Sequence, residues 1–434
     1  MNLKSELIKV RRAASYLSAS SLEERNKALS LIAKGLIRDK ESLLKANEAD
    51  RENARVNGLS SALLERLHFD EKKLDGSLSG LSMVERLGDP IGRIINRREL
   101  DDNLLLEKVA FPLGVIGMIF EARPDALIQI VSLSLKSGNG IVLKGGSEAD
   151  KTNTALYHSI QKSLESTKIG SDWMLLIHSR EETKDLFQMD GLIDLLIPRG
   201  SNKFVRYVMD STKIPVMGHS DGLCSIYVDS SCDEEMAARV CTDSKVQYPS
   251  ACNAVETILV NREIAAHFLP LLKKHLDQYH VIIHGDESVQ HIIDCEAATA
   301  ESFDTEYLAL ECSVKVVENI EEAMDHIALH GSHHTDAIIA EDEAKQKLFM
   351  TMVDSADVFV NCSTRFADGF RFGLGAEVGI STSKIHARGP VGMEGLMTTK
   401  YLLKGSGDIV APYGQGSKNF THRELHTDGK PMSR

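Results

Sequence analysis

Apolar residues recur at helical spacing through the first part of the chain, and then the period changes. Leu29, Ile32 and Leu36, followed by Leu43 and Ala46, fall three or four residues apart, which predicts a helical region from residue 1 to about 88. Ser21, with Glu24 three residues on, has the form of a capping box opening the helix that carries Ala28 and Leu31. Two short apolar runs at 91–96 and 104–109 then flank the charged stretch 97–102. They predict a β-hairpin whose connection is longer than a tight turn.

From Leu113 the pattern alternates between strand and helix. The unbroken apolar run Val115-Ile116-Gly117-Met118-Ile119-Phe120 suits a parallel strand buried on both faces. Pro124 suits the first turn of a helix running through Leu127, Ile130, Val131 and Leu135 and stopping at Gly138. Strands at 141–143, 174–177 and 193–197 continue the alternation with helices near 152–166 and 181–189, and the turn Pro198-Arg199-Gly200-Ser201-Asn202 opens another helix. A second alternation follows, with strands at 225–229, 257–260, 281–284, 314–317, 337–340 and 358–360. Both series predict open parallel sheets of the doubly wound type, an α/β fold in two domains. Glycine-rich turns at 372–375 and 389–392 come next, then a strand-like stretch at 399–403. The last ~20 residues are polar, as loosely held termini are.

Composition adds bounds. At 434 residues the chain exceeds what one core usually serves. A net charge of -13 argues against nucleic acid as a partner, since phosphate backbones demand clustered Lys and Arg. No apolar run reaches the roughly 20 residues needed to span a bilayer. The beginning Met1-Asn2-Leu3-Lys4-Ser5-Glu6 lacks a signal-peptide pattern. Seven cysteines without a CxxC pair fit a reducing cytoplasm and give no zinc knuckle; no metal is expected.

Chemistry concentrates in Tyr248-Pro249-Ser250-Ala251-Cys252-Asn253. A cysteine in such a loop is most often a small buried hydrophobe. With room for a ligand, it can instead attack a carbonyl carbon as a thiolate. The fingerprint GxGxxG is absent from the strand–helix turns, but two weaker signals stand in for it. Lys144-Gly145-Gly146-Ser147 follows a strand end, and Gly200-Ser201 opens a helix whose N–H groups could receive a phosphate. Adjacent His333 and His334, read as lying on a strand, would point to opposite faces and so form no metal site.

The strings Val115 to Asp125, Val142-Leu143-Lys144-Gly145-Gly146-Ser147-Glu148, Pro249-Ser250-Ala251-Cys252-Asn253, Gly331-Ser332-His333-His334-Thr335, Ser363-Thr364-Arg365-Phe366 and Phe372 to Pro390 together resemble the γ-glutamyl phosphate reductases (glutamate-5-semialdehyde dehydrogenases) of the aldehyde dehydrogenase superfamily. The resemblance covers nearly the whole chain. It implies a cofactor domain at 1–90 and 112–221, a catalytic domain at 222–392, and an oligomerisation hairpin and tail at 91–111 and 393–434. It also implies NADPH-dependent reduction of L-glutamyl 5-phosphate to glutamate 5-semialdehyde in proline biosynthesis. Cys252 would be the nucleophile, with its own backbone N–H and Asn253 beside it. Lys144 and Glu306 would hold the two riboses of the cofactor, and Ser147, where NAD-preferring relatives carry glutamate, tilts the choice to NADP. Arg123, Arg365 and Arg388 become candidates for the substrate's phosphate and carboxylate. Relatives that hydrolyse their thioester carry a glutamate about thirty residues before the cysteine; Val216 to Gly222 contains none. A homodimer or higher homo-oligomer and a separate glutamate 5-kinase are the partners the resemblance suggests. The competing readings are a hydrolytic NAD(P)-linked aldehyde dehydrogenase and an inactive nucleotide-binding regulator.

Overall fold

A computed structural model describes residues 2–59, 61–121, 123–218 and 221–427. The first part is helical, as the spacing predicts. Its helices are Leu3–Ser18, Leu22–Arg38, Lys40–Val56, Ser61–Leu67 and Glu71–Arg86. The capping box is formed: Glu24 N–H donates to Ser21 Oγ at 3.2 Å, and Ser21 N–H donates back to Glu24 Oε2 at 3.0 Å.

These helices cover a four-stranded parallel sheet ordered Met174–Ile177, Gly140–Gly145, Val115–Phe120, Leu195–Arg199. Ile116, Met118 and Phe120 pack with the helix Pro124–Ser137 and with Ala28, Ile32 and Leu36 on one face. Val115 and Ile119 pack with Leu3, Leu7 and Val10 on the other. With both faces covered, the period-2 alternation has no polar positions to show, which is why the strand reads as one apolar run. The fourth strand lies two residues beyond its expected place at 193–197, so Pro198 and Arg199 belong to it. It is an edge strand, where a missing N–H is tolerated.

A second, seven-stranded parallel sheet has the order Glu296–Ala297, Ile282–Gly285, Glu311–Val317, Val255–Asn261, Cys224–Val228, Thr335–Ile339, Asp357–Val360. Ile226, Ile258 and Val314 face one layer of helices, and Tyr227, Leu259 and Ile338 face the other. His333 and His334 precede the strand Thr335–Ile339 instead of lying on it: His333 is exposed with φ 59°, and His334 is buried.

The third sheet is antiparallel, ordered Met397–Lys404, Leu104–Pro112, Ile94–Asp101, Arg423–Leu425. Two expectations are corrected here. The charged stretch 97–102 is mostly strand, and the connection is the tight pair Asp102-Asn103, with Asn103 at φ 63°. Cross-strand pairs explain how so charged a segment is held: Arg97 with Glu107, Arg98 with Glu424, and Glu99 with Arg423. The tail is also less loose than its composition suggests, because residues 423–425 add a strand to this ribbon. A further two-stranded pairing, Gly379–Ser381 with Gly389–Val391, replaces what the glycines suggested were turns only. No helix among the described residues is long and apolar enough to cross a membrane.

One buried cap ties the helical part to the first sheet's connections. The helix Asp150–Leu164 has no side-chain cap of its own. Asp50 supplies it from the helix Lys40–Val56, accepting from Thr152 N–H at 2.8 Å and Thr152 Oγ1 at 2.6 Å. Replacing Asp50 by Ala strands these buried donors and should cost about 1–3 kcal/mol in denaturant unfolding, with kcat per folded molecule unchanged.

Candidate active site

A cavity of about 550 Å³ opens where the C-terminal edge of the four-stranded sheet faces the Cys252 loop and the segments around residues 306, 365 and 377. Ligands bind at this edge in open parallel sheets. The cavity brings together Cys252, Asn253, Gly200, Ser201, Glu306, Arg123 and Arg365 of the residues singled out from sequence. Lys144, Ser147 and Arg388 are not in its lining.

The helix Glu234–Val246 ends just before the cysteine loop, and the buried strand Val255–Asn261 follows it. Cys252 itself is half-buried. Its backbone is packed from behind. A Cβ on Gly222 would come within 2.2 Å of the Cys252 carbonyl oxygen and 2.6 Å of its Cα, and Cys224 Sγ donates to the same carbonyl at 3.3 Å. Among the described residues the Cys252 N–H donates to no acceptor, which leaves it available to a ligand oxygen. Asn253 turns the other way: it is buried, and its Nδ2 donates to the Ala367 carbonyl at 2.7 Å while Thr364 Oγ1 donates to its own carbonyl at 2.7 Å. Asn253 thus ties the cysteine loop to the segment that carries Arg365.

Behind the loop, Lys245 and Glu256 form a fully buried ion pair at 2.6 Å. Burial pushes the Glu256 carboxyl up to about 7, against the pull of Lys245. The other Glu256 oxygen accepts from Leu308 N–H at 3.4 Å, so the pair reaches the segment bearing Glu306. Glu306 in turn accepts from Asn202 Nδ2, which also donates to Asp221 at 3.1 Å.

The guanidinium groups differ in their partners. Arg365 is buried, donates from Nε to Gln247 Oε1 at 2.9 Å, and lies 5.7 Å from the centre of the Tyr248 ring. Arg123 precedes the helix Pro124–Ser137 and faces the cavity. Arg388 is turned away, donating to Asp354 Oδ1 at 2.9 Å and to its carbonyl at 2.8 Å. Two side chains that sequence reading passed over are central. Arg199 ends its strand in the cavity, and Glu377 approaches it at 3.8 Å. Burial lowers the Arg199 pKa, opposed chiefly by Glu377, and burial likewise lowers that of Arg365. Arg199 could have been noticed as a charge ending an apolar strand at a ligand-binding edge; Glu377 carries no such signal.

At the sheet edge, Ser201 caps the helix Asn202–Ser211 by accepting from Phe204 N–H, while Ser201 N–H donates to Glu121 Oε2 at 3.1 Å. Lys144 stands buried one residue before the end of its strand, with Nζ donating to the Gly145 carbonyl. Burial lowers its pKa, and Glu148 and Asp150 oppose that. Ser147 is exposed at the start of a short 3₁₀ turn, where Glu148 folds back over Gly146.

Two parallel α/β sheets, an antiparallel ribbon and a half-buried cysteine in the cavity define an aldehyde dehydrogenase-like fold. An acetylating aldehyde dehydrogenase from Geobacillus thermoglucosidasius superimposes with a TM-score of 0.66 over 94% of this chain and 97% of its own, at 16% identity. Much greater likeness narrows the class. The γ-glutamyl phosphate reductase of Acetivibrio thermocellus is 49% identical over 98% of this chain and 99% of its own length, and that of Prochlorococcus marinus is 49% identical over 96% and 95%. The crystal structure of the Thermotoga maritima γ-glutamyl phosphate reductase matches with a TM-score of 0.92 at 37% identity, covering 94% of this chain and all of the other. No family model matches the chain. The chain belongs to the γ-glutamyl phosphate reductase family, whose members are oxidoreductases.

The packing of Gly222 against Cys252 is directly testable. Gly222→Ala forces the cysteine backbone to move, and a displacement of about 1 Å is enough to cost on the order of 100-fold in kcat. Circular dichroism should stay native while the steady-state rate falls.

Proposed function

We propose that this chain reduces L-glutamyl 5-phosphate to L-glutamate 5-semialdehyde and phosphate, drawing its hydride from NADPH, in the second step of proline biosynthesis from glutamate. The observation that carries the reading is Cys252, half-buried in a cavity lined by arginines, within a chain 49% identical along nearly its whole length to γ-glutamyl phosphate reductases. The Cys252 thiolate attacks the acyl carbon, and phosphate leaves as an anion that needs no protein acid. Arg123, Arg199 and Arg365 supply positive charge for the anionic ends of the substrate. The unpartnered Cys252 N–H faces the oxyanion that forms on the acyl carbon. In the stretch 216–222, residues 219 and 220 lie outside the described residues. Asp221, its one acid, is held by Asn202 and Arg206. No glutamate stands in this stretch, where hydrolytic relatives keep one, which favours phosphate over water as the partner of the thioester.

The sheet edge fits a dinucleotide. Lys144 stands two strand spacings, roughly 10 Å, from the strand ending at Arg199, and among the described residues only one of its three donors is used, on Gly145. Lys144 would hold the adenosine ribose and Glu306 the nicotinamide ribose, with Gly200 and Ser201 between them. The bound cofactor supplies the hydride that turns the thioester carbonyl into the aldehyde carbon. Ser147 leaves room for a 2′-phosphate. We further assign the 1–90 and 112–221 segments to the cofactor, 222–392 to catalysis, and the ribbon to a homodimer. Its outer strand Met397–Lys404 is almost wholly exposed and carries Tyr401 and Leu403. A separate glutamate 5-kinase would supply the labile acyl phosphate in the cytoplasm.

Three measurements bear on this. In the reverse direction, semialdehyde oxidation should require phosphate or arsenate, and Cys252→Ala should lose at least about 10³-fold in kcat; retained turnover in the mutant, or phosphate-independent oxidation by the wild type to glutamate, would sink the mechanism. Ser147→Glu should lower the NADPH-to-NADH ratio of kcat/KM by about tenfold or more through like-charge repulsion. Sedimentation at working concentration should give a dimer or larger species, and a monomer would contradict the assigned role of the ribbon.

A further inference from the structure

Glu377 is the group in the cavity whose arrangement the mechanism leaves unused. Its backbone is fixed next door, where buried Val378 donates from N–H to the Val391 carbonyl at 2.9 Å. Its Oε2 accepts from Gly369 N–H at 2.8 Å, and a Cβ on Gly369 would lie 2.8 Å from the Glu377 Cβ, so the side chain is packed in one place. Oε1 is held differently. It lies 3.8 Å from Arg199, beyond hydrogen-bond length, with the side chain about four-fifths buried (19% exposed). Arg199 has five N–H donors and only this loose pairing among the described residues. A carboxylate with one free oxygen beside a guanidinium with free donors, both facing one cavity, complements the two charges at the α-carbon of an amino acid. Arg199, Glu377 and Cys252 all line the one cavity, so the receptor and the nucleophile flank the same space.

The chemistry of the substrate gives this receptor a second task. The α-amine and the δ-acyl carbon of a glutamyl thioester are placed to close a five-membered ring. A free amine would form a C–N bond at the acyl carbon and break the C–S bond. The Cys252 thiolate would be expelled and the amine proton passed to it, giving the lactam 5-oxoproline. An ammonium has no lone pair with which to begin. We propose that Glu377 binds the substrate's α-ammonium, with Arg199 on its α-carboxylate, and thereby keeps the amine from intercepting the Cys252 thioester. The inference rests on the thioester reading above.

The reverse reaction tests it without the unstable acyl phosphate. With glutamate 5-semialdehyde and NADP but no phosphate, the wild type should form its thioester and stop. Glu377→Gln should keep turning over, at least tenfold faster than the wild type, releasing one 5-oxoproline per NADPH. With 5-oxopentanoate, the same chain without the amine, the variant should remain phosphate-dependent. A variant whose phosphate requirement is as strict as the wild type's, with the same relative kcat/KM for the two aldehydes, overturns the proposal. Should the variant not fold, the wild type alone decides: with saturating phosphate, kcat/KM should favour the amino aldehyde over 5-oxopentanoate by tenfold or more, and equal values overturn it. Release of glutamate by the wild type without phosphate would instead overturn the reading that phosphate, and not water, takes the thioester, and its product tells the two failures apart.

Discussion

The site depends on how one short loop is pinned. Residues 247–254 connect a helix to a buried strand, and a loop in that position would ordinarily be free to breathe. Here Gly222 leaves no clearance behind the Cys252 backbone, and the Asn253 amide is bonded to Ala367. Each contact is short and buried, so the Cys252 backbone is located by main-chain packing and its side chain is left to face the cavity. Preorganisation of this kind is what allows a thiol to meet an acyl carbon without a search at every turnover.

The pinning also links the parts of the site that come from distant sequence. Asn253 and Thr364 join the cysteine loop to the segment bearing Arg365, and Gln247, at the loop's own beginning, takes the Arg365 Nε–H. Glu256 connects the buried Lys245 to the Leu308 backbone, two residues from Glu306. Replacing either member of that pair would leave a buried charge without its partner, which is more harmful than never having had the pair. Glu306 and Cys252, both in the cavity lining, therefore share one buried support.

How much of this could be read from the sequence follows from which forces leave local traces. The alternating sheets were legible because burial on both faces writes continuous apolar runs, and Ser21 with Glu24 was legible because a cap is a local device. The charged strand 97–101 was misjudged because its stability comes from partners such as Glu107, Glu424 and Arg423, the last two over three hundred residues away. The same holds for residues 423–425, whose polar composition hides a ladder partner. Cys252, Glu306 and Arg365 were found through resemblance, and the fold brings them together in one cavity. Arg388 was a reasonable candidate by type, but Asp354 holds it elsewhere. Arg199 and Glu377 needed the fold, because nothing local says that residues 178 apart in sequence share a wall.

The cavity wall carries both signs of charge, with Arg123, Arg199 and Arg365 set among Glu121, Glu306, Asp368 and Glu377. Such a wall exerts little net pull at a distance, and the chain as a whole is acidic. Its discrimination works at the moment of drying. While the cavity is wet, solvent satisfies each ion; once a molecule displaces that water, every ion must find its complement on the guest. A guest missing one charge strands an ion in a poorly solvated place, and that penalty, more than any attraction, would turn it away.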